Sequence, residues 1–203
     1  MKTIQFITIL LFLFLTTFSH TYGEEIQPKI VNEITTDTKK NDYILPFPGM
    51  LPNNPLYILK VIRDKFIENL ISDPEIKIAF HLMQADKQIG MINNLINDNN
   101  VNLAIKTALK AEDNNTKITI IYKFSHIKPT LKMKDALILS AKKHQEILSE
   151  IIKKVKNNDK KTFNQIMEFS KINEQEIIRI YNSFSIKRTE TENPVEIITT
   201  SNL

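Results

Sequence analysis

His81, His126 and His144 are the side chains best suited to acid–base or metal chemistry near neutral pH, so their spacing is the first thing to weigh. They lie far apart, and no two stand one helical turn from each other, which is the arrangement that lets one helix face grip a zinc ion. His144 falls on an apolar seam, where a buried imidazole hydrogen-bonded to its neighbours is expected. His126 lies close to a helix end, where it would meet the negative pole of the dipole. His81 flanks its own seam, and its acidic neighbours Glu75 and Asp86 are not three or four residues away, so no metal is assigned to it.

Other catalytic signatures fail on residue type. Past the N-terminal leader the only glycines are Gly49 and Gly90, so neither a P-loop nor a Rossmann phosphate cradle can be written. A nucleophile elbow needs paired glycines around serine, and the chain has no cysteine at all. Two carboxylates for glycoside hydrolysis leave no fixed spacing to search for. Asp64, Glu68 and Asp86 sit among Arg63, Lys65 and Lys87, the pattern of solvated helix faces with ion pairs. Met83, Met91, Met133 and Met167 lie in or beside seams and read as core filler. We therefore expect no catalytic residues, no cofactor and no enzyme.

Charge gives one candidate surface. Lys132, Lys134, Lys142, Lys143, Lys153, Lys154, Lys156, Lys160 and Lys161 outnumber the acids around them, and Lys153, Lys154 and Lys156 are the candidate contacts for an anionic polymer. A solvated face is the plainer reading of the same run. No aromatic residues interleave with these lysines, which speaks against stacking on nucleic-acid bases. The whole chain is only mildly basic, with 27 Lys and Arg against 23 Asp and Glu.

These residues need elements to hold them. Met1-Lys2 followed by the apolar run from Phe6 to Phe18 has the design of a secretory signal peptide, with cleavage expected after Gly23. An uncleaved anchor is the alternative, although a spanning helix wants about 20 apolar residues and no later run reaches that length. Residues 24–41 are polar and aperiodic, an expected disordered spacer, and 187–203 an expected flexible tail. That leaves 42–186 as one domain, which must hold together by packing alone because it has no disulfide.

The domain opens on Leu45-Pro46-Phe47-Pro48-Gly49-Met50-Leu51-Pro52, whose prolines forbid helix and central strand. An extended strap is expected, laid along the bundle by Leu45, Phe47, Met50 and Leu51. Asn54 and Pro55 then read as cap and first position of a helix with Leu59, Ile62, Phe66 and Leu70 at helical spacing. Asp73-Pro74 starts a second helix, with Ile78, Leu82, Ala85, Ile89, Ile92 and Ile96 in its seam. A third, over about 101–126, carries Val101, Ala104, Ala108, Ala111, Ile118 and Tyr122 in a stripe that Asn115 interrupts. The β-branched residues of 118–124 also fit a strand, but no partner strand is visible.

After Lys128-Pro129-Thr130, a fourth helix sets Leu137, Ala141, His144, Leu148, Ile151 and Val155 in line, and Asn157-Asn158-Asp159 is expected to close it. A fifth helical region holds Phe163, Ile166, Met167, Ile177, Ile180, Tyr181 and Phe184, with a possible split at Asn173, which forms a capping box with Glu176. The fold class is all-α: an antiparallel, up-and-down bundle of four to five helices preceded by a Pro-rich strap.

The run from Leu45 to Asp64, with its LPxPGxLPxxPLYxLKxxRD pattern, resembles the signature of a family of exported bacterial proteins known as a domain of unknown function. Ser72-Asp73-Pro74 and Ala85-Asp86-Lys87 extend the resemblance, which covers about residues 42–151; family members carry Arg after Ala-Asp-Lys where this chain has Gln88. It implies a secreted or surface-held helical domain and brings no activity. Its matched residues Pro46, Pro48, Gly49, Pro52, Pro55, Tyr57, Lys60, Arg63, Asp64, Asp86 and Lys87 are expected to serve structure. Tyr57 and Arg63 would fix the strap, while Asp64, Asp86 and Lys87 would clasp the first two helices.

The functional expectation is a non-catalytic binding or interaction module of the cell envelope, its partner an envelope protein or anionic polymer. The alternative is a ligand- or metal-sensing extracytoplasmic domain.

Overall fold

A computed structural model describes residues 42–192, with backbone alone over 185–192. The signal peptide, the spacer and the last eleven residues of the expected tail lie outside the described residues. Every regular element described is a helix: α1 Tyr57–Leu70, α2 Pro74–Asn97, α3 Val101–Ser125, α4 Leu131–Lys154 and α5 Asn157–Glu192. The stretch 118–124 is therefore helical, inside α3.

Start signals behave as their chemistry requires. The Asp73 carboxylate accepts from the backbone N–H groups of Glu75 and Ile76 at 2.8 and 3.1 Å, and Pro74 follows it. Thr130 Oγ1 accepts from Met133 N at 3.1 Å and opens α4. Three local expectations shift. The Asn54 side chain accepts from Leu56 N at 2.9 Å inside a turn, so α1 begins at Tyr57 rather than at Pro55. The α4–α5 break falls on Val155 and Lys156, and Asn157 already belongs to α5. α5 also runs unbroken through Asn173, because that side chain is buried and engaged elsewhere instead of capping a new helix.

Helices α2 to α5 form the bundle. α2 packs on α3 and α4, while α5 packs on α4 and α3, so the order around the bundle is α2, α3, α5, α4. Two antiparallel hairpins thus stand side by side, joined by the turn around Pro129.

Their seams meet in two apolar clusters. One gathers Ile89, Ile92 and Leu95 of α2, Ala104, Ala108 and Ala111 of α3, Leu148 and Ile151 of α4, and Phe163 and Ile166 of α5. The other gathers Ile78, Ile118, Tyr122, Leu137, Ile177 and Ile180. The chain passes from one cluster to the other along each of the four helices, reversing direction at every turn. Fully burying a residue of this size stabilises by about 1.5–3 kcal/mol, which is how the domain stands without a covalent staple.

The strap lies against the first cluster through Leu45 and Leu51. It crosses α2 at Gly90, where an added Cβ would meet Pro48 Cβ at 3.7 Å and Leu45 Cδ1 at 3.8 Å. Gly49 supplies the one positive φ in the strap, +72°. Phe47 and Met50 do not join the packing as expected: Phe47 is 83% exposed, as is Ile44. Extended backbone sends successive side chains to opposite sides, so Ile44 faces out between inward Tyr43 and Leu45, whereas Phe47 departs from that alternation between the half-buried Pro46 and Pro48.

Candidate functional site: a buried charge layer and an inverted helix

Between the two apolar clusters lies a layer of polar side chains, to which each bundle helix contributes at mid-length. α2 gives Asp86, α3 gives Glu112 and Asn115, α4 gives Ser140 and His144, and α5 gives Asn173, all of them buried. His144 is the centre, fully excluded from solvent. Its Nε2 lies 3.1 Å from Asp86 Oδ1 and its Nδ1 2.9 Å from Glu112 Oε1. A carboxylate only accepts, so each ring nitrogen donates and the side chain is an imidazolium between two anions.

Every oxygen of the two carboxylates has a partner. The Tyr43 hydroxyl of the strap donates to Asp86 Oδ2 at 2.6 Å, and Ser140 Oγ donates to Asp86 Oδ1 at 2.5 Å. Asn115 and Asn173 donate to Glu112 Oε2 at 3.2 and 3.1 Å, and Thr116 Oγ1 donates to Asn173 Oδ1 at 3.1 Å. Among the described residues no buried side-chain nitrogen or oxygen lacks a partner.

Electrostatics follow from the geometry. Burial pulls the His144 imidazole toward neutrality, but the hydrogen bonds and charges of Asp86 and Glu112 outweigh it and hold its pKa up to about 9. Burial likewise works against the Glu112 carboxylate, and His144 together with the two asparagines wins, keeping it below the usual range. Tyr43 is pushed well up by burial and then by the Asp86 charge, so it stays a donor.

The layer is closed. The hollow beside it, lined by Asn115, Ile118, Leu137, Ala141, Asn173, Glu174 and Ile177, measures about 10 Å³, room for roughly one water. Ser140, Asp86 and His144 thus have the residue types of a hydrolase but not its geometry: the Ser140 hydroxyl donates to Asp86, and no substrate carbonyl fits beside it. Nor, among the described residues, is any group of three His, Asp or Glu arranged to hold a metal ion.

α1 reverses the usual order of faces. Its inward side is Tyr57, Lys60, Asp64, Ile67 and Glu68, and it packs extensively on none of the bundle helices. The expected stripe of Leu59, Ile62, Phe66 and Leu70 points to solvent, with Ile62 61%, Phe66 63% and Leu70 65% exposed, and Ile58 lies beside it. On the inward side, His81 is buried and its Nδ1 lies 2.8 Å from Asn114 Oδ1. The Asn114 amide nitrogen is occupied by Gln88 and the Lys110 carbonyl, so Nδ1 is the donor. Burial lowers the pKa of His81 and leaves it neutral, with Glu68 3.6 Å from its Nε2 and Lys117 3.6 Å from the same carboxylate oxygen.

The motif residues separate into three groups. Pro46, Pro48 and Pro52 are half-buried in the strap, while Pro55 and Gly49 are exposed at its turns. Tyr57 is buried in the first cluster with Lys60 Nζ 5.2 Å over its ring, and Lys60 and Arg63 both pair with Asp64, at 3.6 and 2.7 Å. Lys87 is half-buried. The expected clasp of Asp64, Asp86 and Lys87 is not formed, since Asp86 points into the bundle toward Tyr43, Ser140 and His144. Arg63 is exposed and held by Asp64, so the strap is fixed instead by Tyr43, Leu45 and Leu51, and by Asn53, which donates to Asp98 at 3.1 Å.

Lys153, Lys154 and Lys156 are exposed where α4 ends, with Lys154 Nζ 3.4 Å from Asn93 Oδ1. His126 is exposed at the α3 C-cap in a left-handed conformation, φ 54°. No helix among the described residues is long and apolar enough to cross a membrane. No protein-family model, curated protein or solved structure matches the chain.

Proposed function

We propose that this chain is an exported, non-catalytic binding module of the cell envelope, and that the outward face of α1 is its contact surface. One observation carries the reading: four large apolar side chains at helical spacing, Leu59, Ile62, Phe66 and Leu70, stand in solvent on a helix that turns Asp64 and Glu68 toward the protein. A contiguous apolar face of that kind marks an interaction site, because nothing in the fold gains from leaving it wet. The closed charge layer supports the non-catalytic part, since its polar atoms are already spent on one another. Export rests on the leader, and the resemblance of the strap motif to exported helical domains points the same way.

Fractionation of cells expressing the full chain tests this. The protein should be held in the envelope, and Ile62→Ser with Phe66→Ser should release it into the soluble or medium fraction without loss of helical circular dichroism. Identical distribution of wild type and variant would remove α1 as the contact surface and the reading with it.

A further inference from the structure

Which partner fits α1 depends on what borders its apolar face. At about 100° per residue, Ile58, Ile62, Phe66, Leu59 and Leu70 span an arc of about 120°. Lys65 lies at one edge of that arc and Arg63 at the other, and both are exposed. The acids are elsewhere: Asp64 and Glu68 are on the inward side, Asp64 paired with Lys60 and Arg63, Glu68 with Lys117. What α1 offers to the outside is thus an apolar arc, interrupted near the end of the helix by exposed Asn69, with a cation along each border and Asp64 and Glu68 turned inward.

We infer that this face docks in the plane of an anionic lipid bilayer, with Ile62 and Phe66 inserted among the acyl chains and Lys65 and Arg63 at the headgroup phosphates. The inference rests on the proposed function and names its partner. Helices that lie in a membrane interface combine an apolar face with flanking Lys and Arg in this way, and their binding adds buried apolar area to attraction for anionic lipid. A second copy of the chain is a poorer occupant. In a two-fold pair the same patch meets itself, and since both borders are cationic, either helix direction sets like charges opposite one another. The inward turn of Asp64 and Glu68 serves bilayer binding directly, because carboxylates at those borders would repel the same headgroups.

Flotation of the purified exported protein with vesicles gives the test, every variant carrying the same N-terminus as the wild type. Binding to vesicles of phosphatidylglycerol and phosphatidylcholine should exceed binding to phosphatidylcholine alone by about tenfold and weaken with salt. Ile62→Ser with Phe66→Ser should cut binding to both by about tenfold or more. Arg63→Gln with Lys65→Gln should abolish only the preference for anionic lipid. Circular dichroism keeps folding in view. Wild type that does not float, or flotation untouched by Ile62→Ser with Phe66→Ser, overturns the inference. So does a dimer in sedimentation velocity that the same pair of substitutions dissociates. If that pair releases the protein from the envelope although vesicles never bind it, the contact surface stands and its lipid partner does not.

Discussion

α4 and α1 carry apolar stripes of the same helical period, yet one is shut inside the bundle around a charge and the other faces out. On α4, Leu137, Ala141, Leu148 and Ile151 are buried on either side of His144. On α1, Leu59, Ile62, Phe66 and Leu70 are exposed while Asp64 and Glu68 turn inward. Periodicity states which residues share a face, and nothing in it states whether that face meets protein. Neighbours decide. Two partner helices flank α4 along its length, whereas α1 is attached at Tyr57, with half-buried Ile67 on its inward side, and through polar contacts such as that of Glu68 with Lys117.

The largest effect expected on the buried side comes from His144→Leu, which leaves Asp86 and Glu112 facing each other without a cation. Urea denaturation should show a loss of about 4 kcal/mol, because breaking a buried ionic set by removing one member strands the rest. A loss below about 1 kcal/mol would mean that the layer is hydrated and that the two stripes differ less than their burial says.

Proton linkage sharpens the same point without mutation. The folded pKa of His144, about 9, lies above its unfolded value of 6.5, so its contribution is complete below pH 6.5 and is lost as pH rises through 9. The gap corresponds to about 3 kcal/mol at most. Glu112, held below 4.5, acts on the acid side: its contribution is present above pH 4.5 and fades as pH falls further. Stability should therefore peak between about pH 5 and 6.5, and His144→Leu should flatten the alkaline limb.

Smaller effects probe the strap. Tyr43→Phe removes one donor from Asp86 and should cost about 2 kcal/mol, with faster proteolysis around the strap prolines. Gly90→Ala should instead stabilise by about 0.5–1 kcal/mol, since its Cβ meets the strap at ordinary contact distance and α2 gains helix propensity. A loss there would show that the strap sits closer to α2 than 3.7 Å allows.

Much of the bundle was legible. Asp73-Pro74 and the seams of α2, α3 and α4 foretold their elements, because caps and i, i+3, i+4 spacing are local properties. His144 was recognisable as a core histidine from its place in a seam. Its partners were harder to see. Asp86 follows Ala85 and precedes Ile89 by three, Glu112 follows Ala108 by four, and Asn173 precedes Ile177 by four. Each stood at core spacing, but an acid or amide is presumed solvated until a partner from another helix is in view, and those partners lie 32 to 61 residues away where sequence order gives no distance. Asn115, the residue that broke the α3 stripe, was the visible trace of the layer. The outward turn of α1 left no local trace, since the order of the helices around the bundle is set by packing between distant segments.

Thiol labelling measures the contrast most directly, because the chain has no cysteine of its own. Ile62→Cys and Ile92→Cys place the same probe on α1 and on α2, at sites 61% and 0% exposed. In the purified protein without lipid, the thiol at position 62 should react at the rate of an unfolded peptide, while that at 92 should react only through unfolding, about a thousandfold or more slower. Equal protection at the two positions would contradict the inverted helix and everything proposed from it.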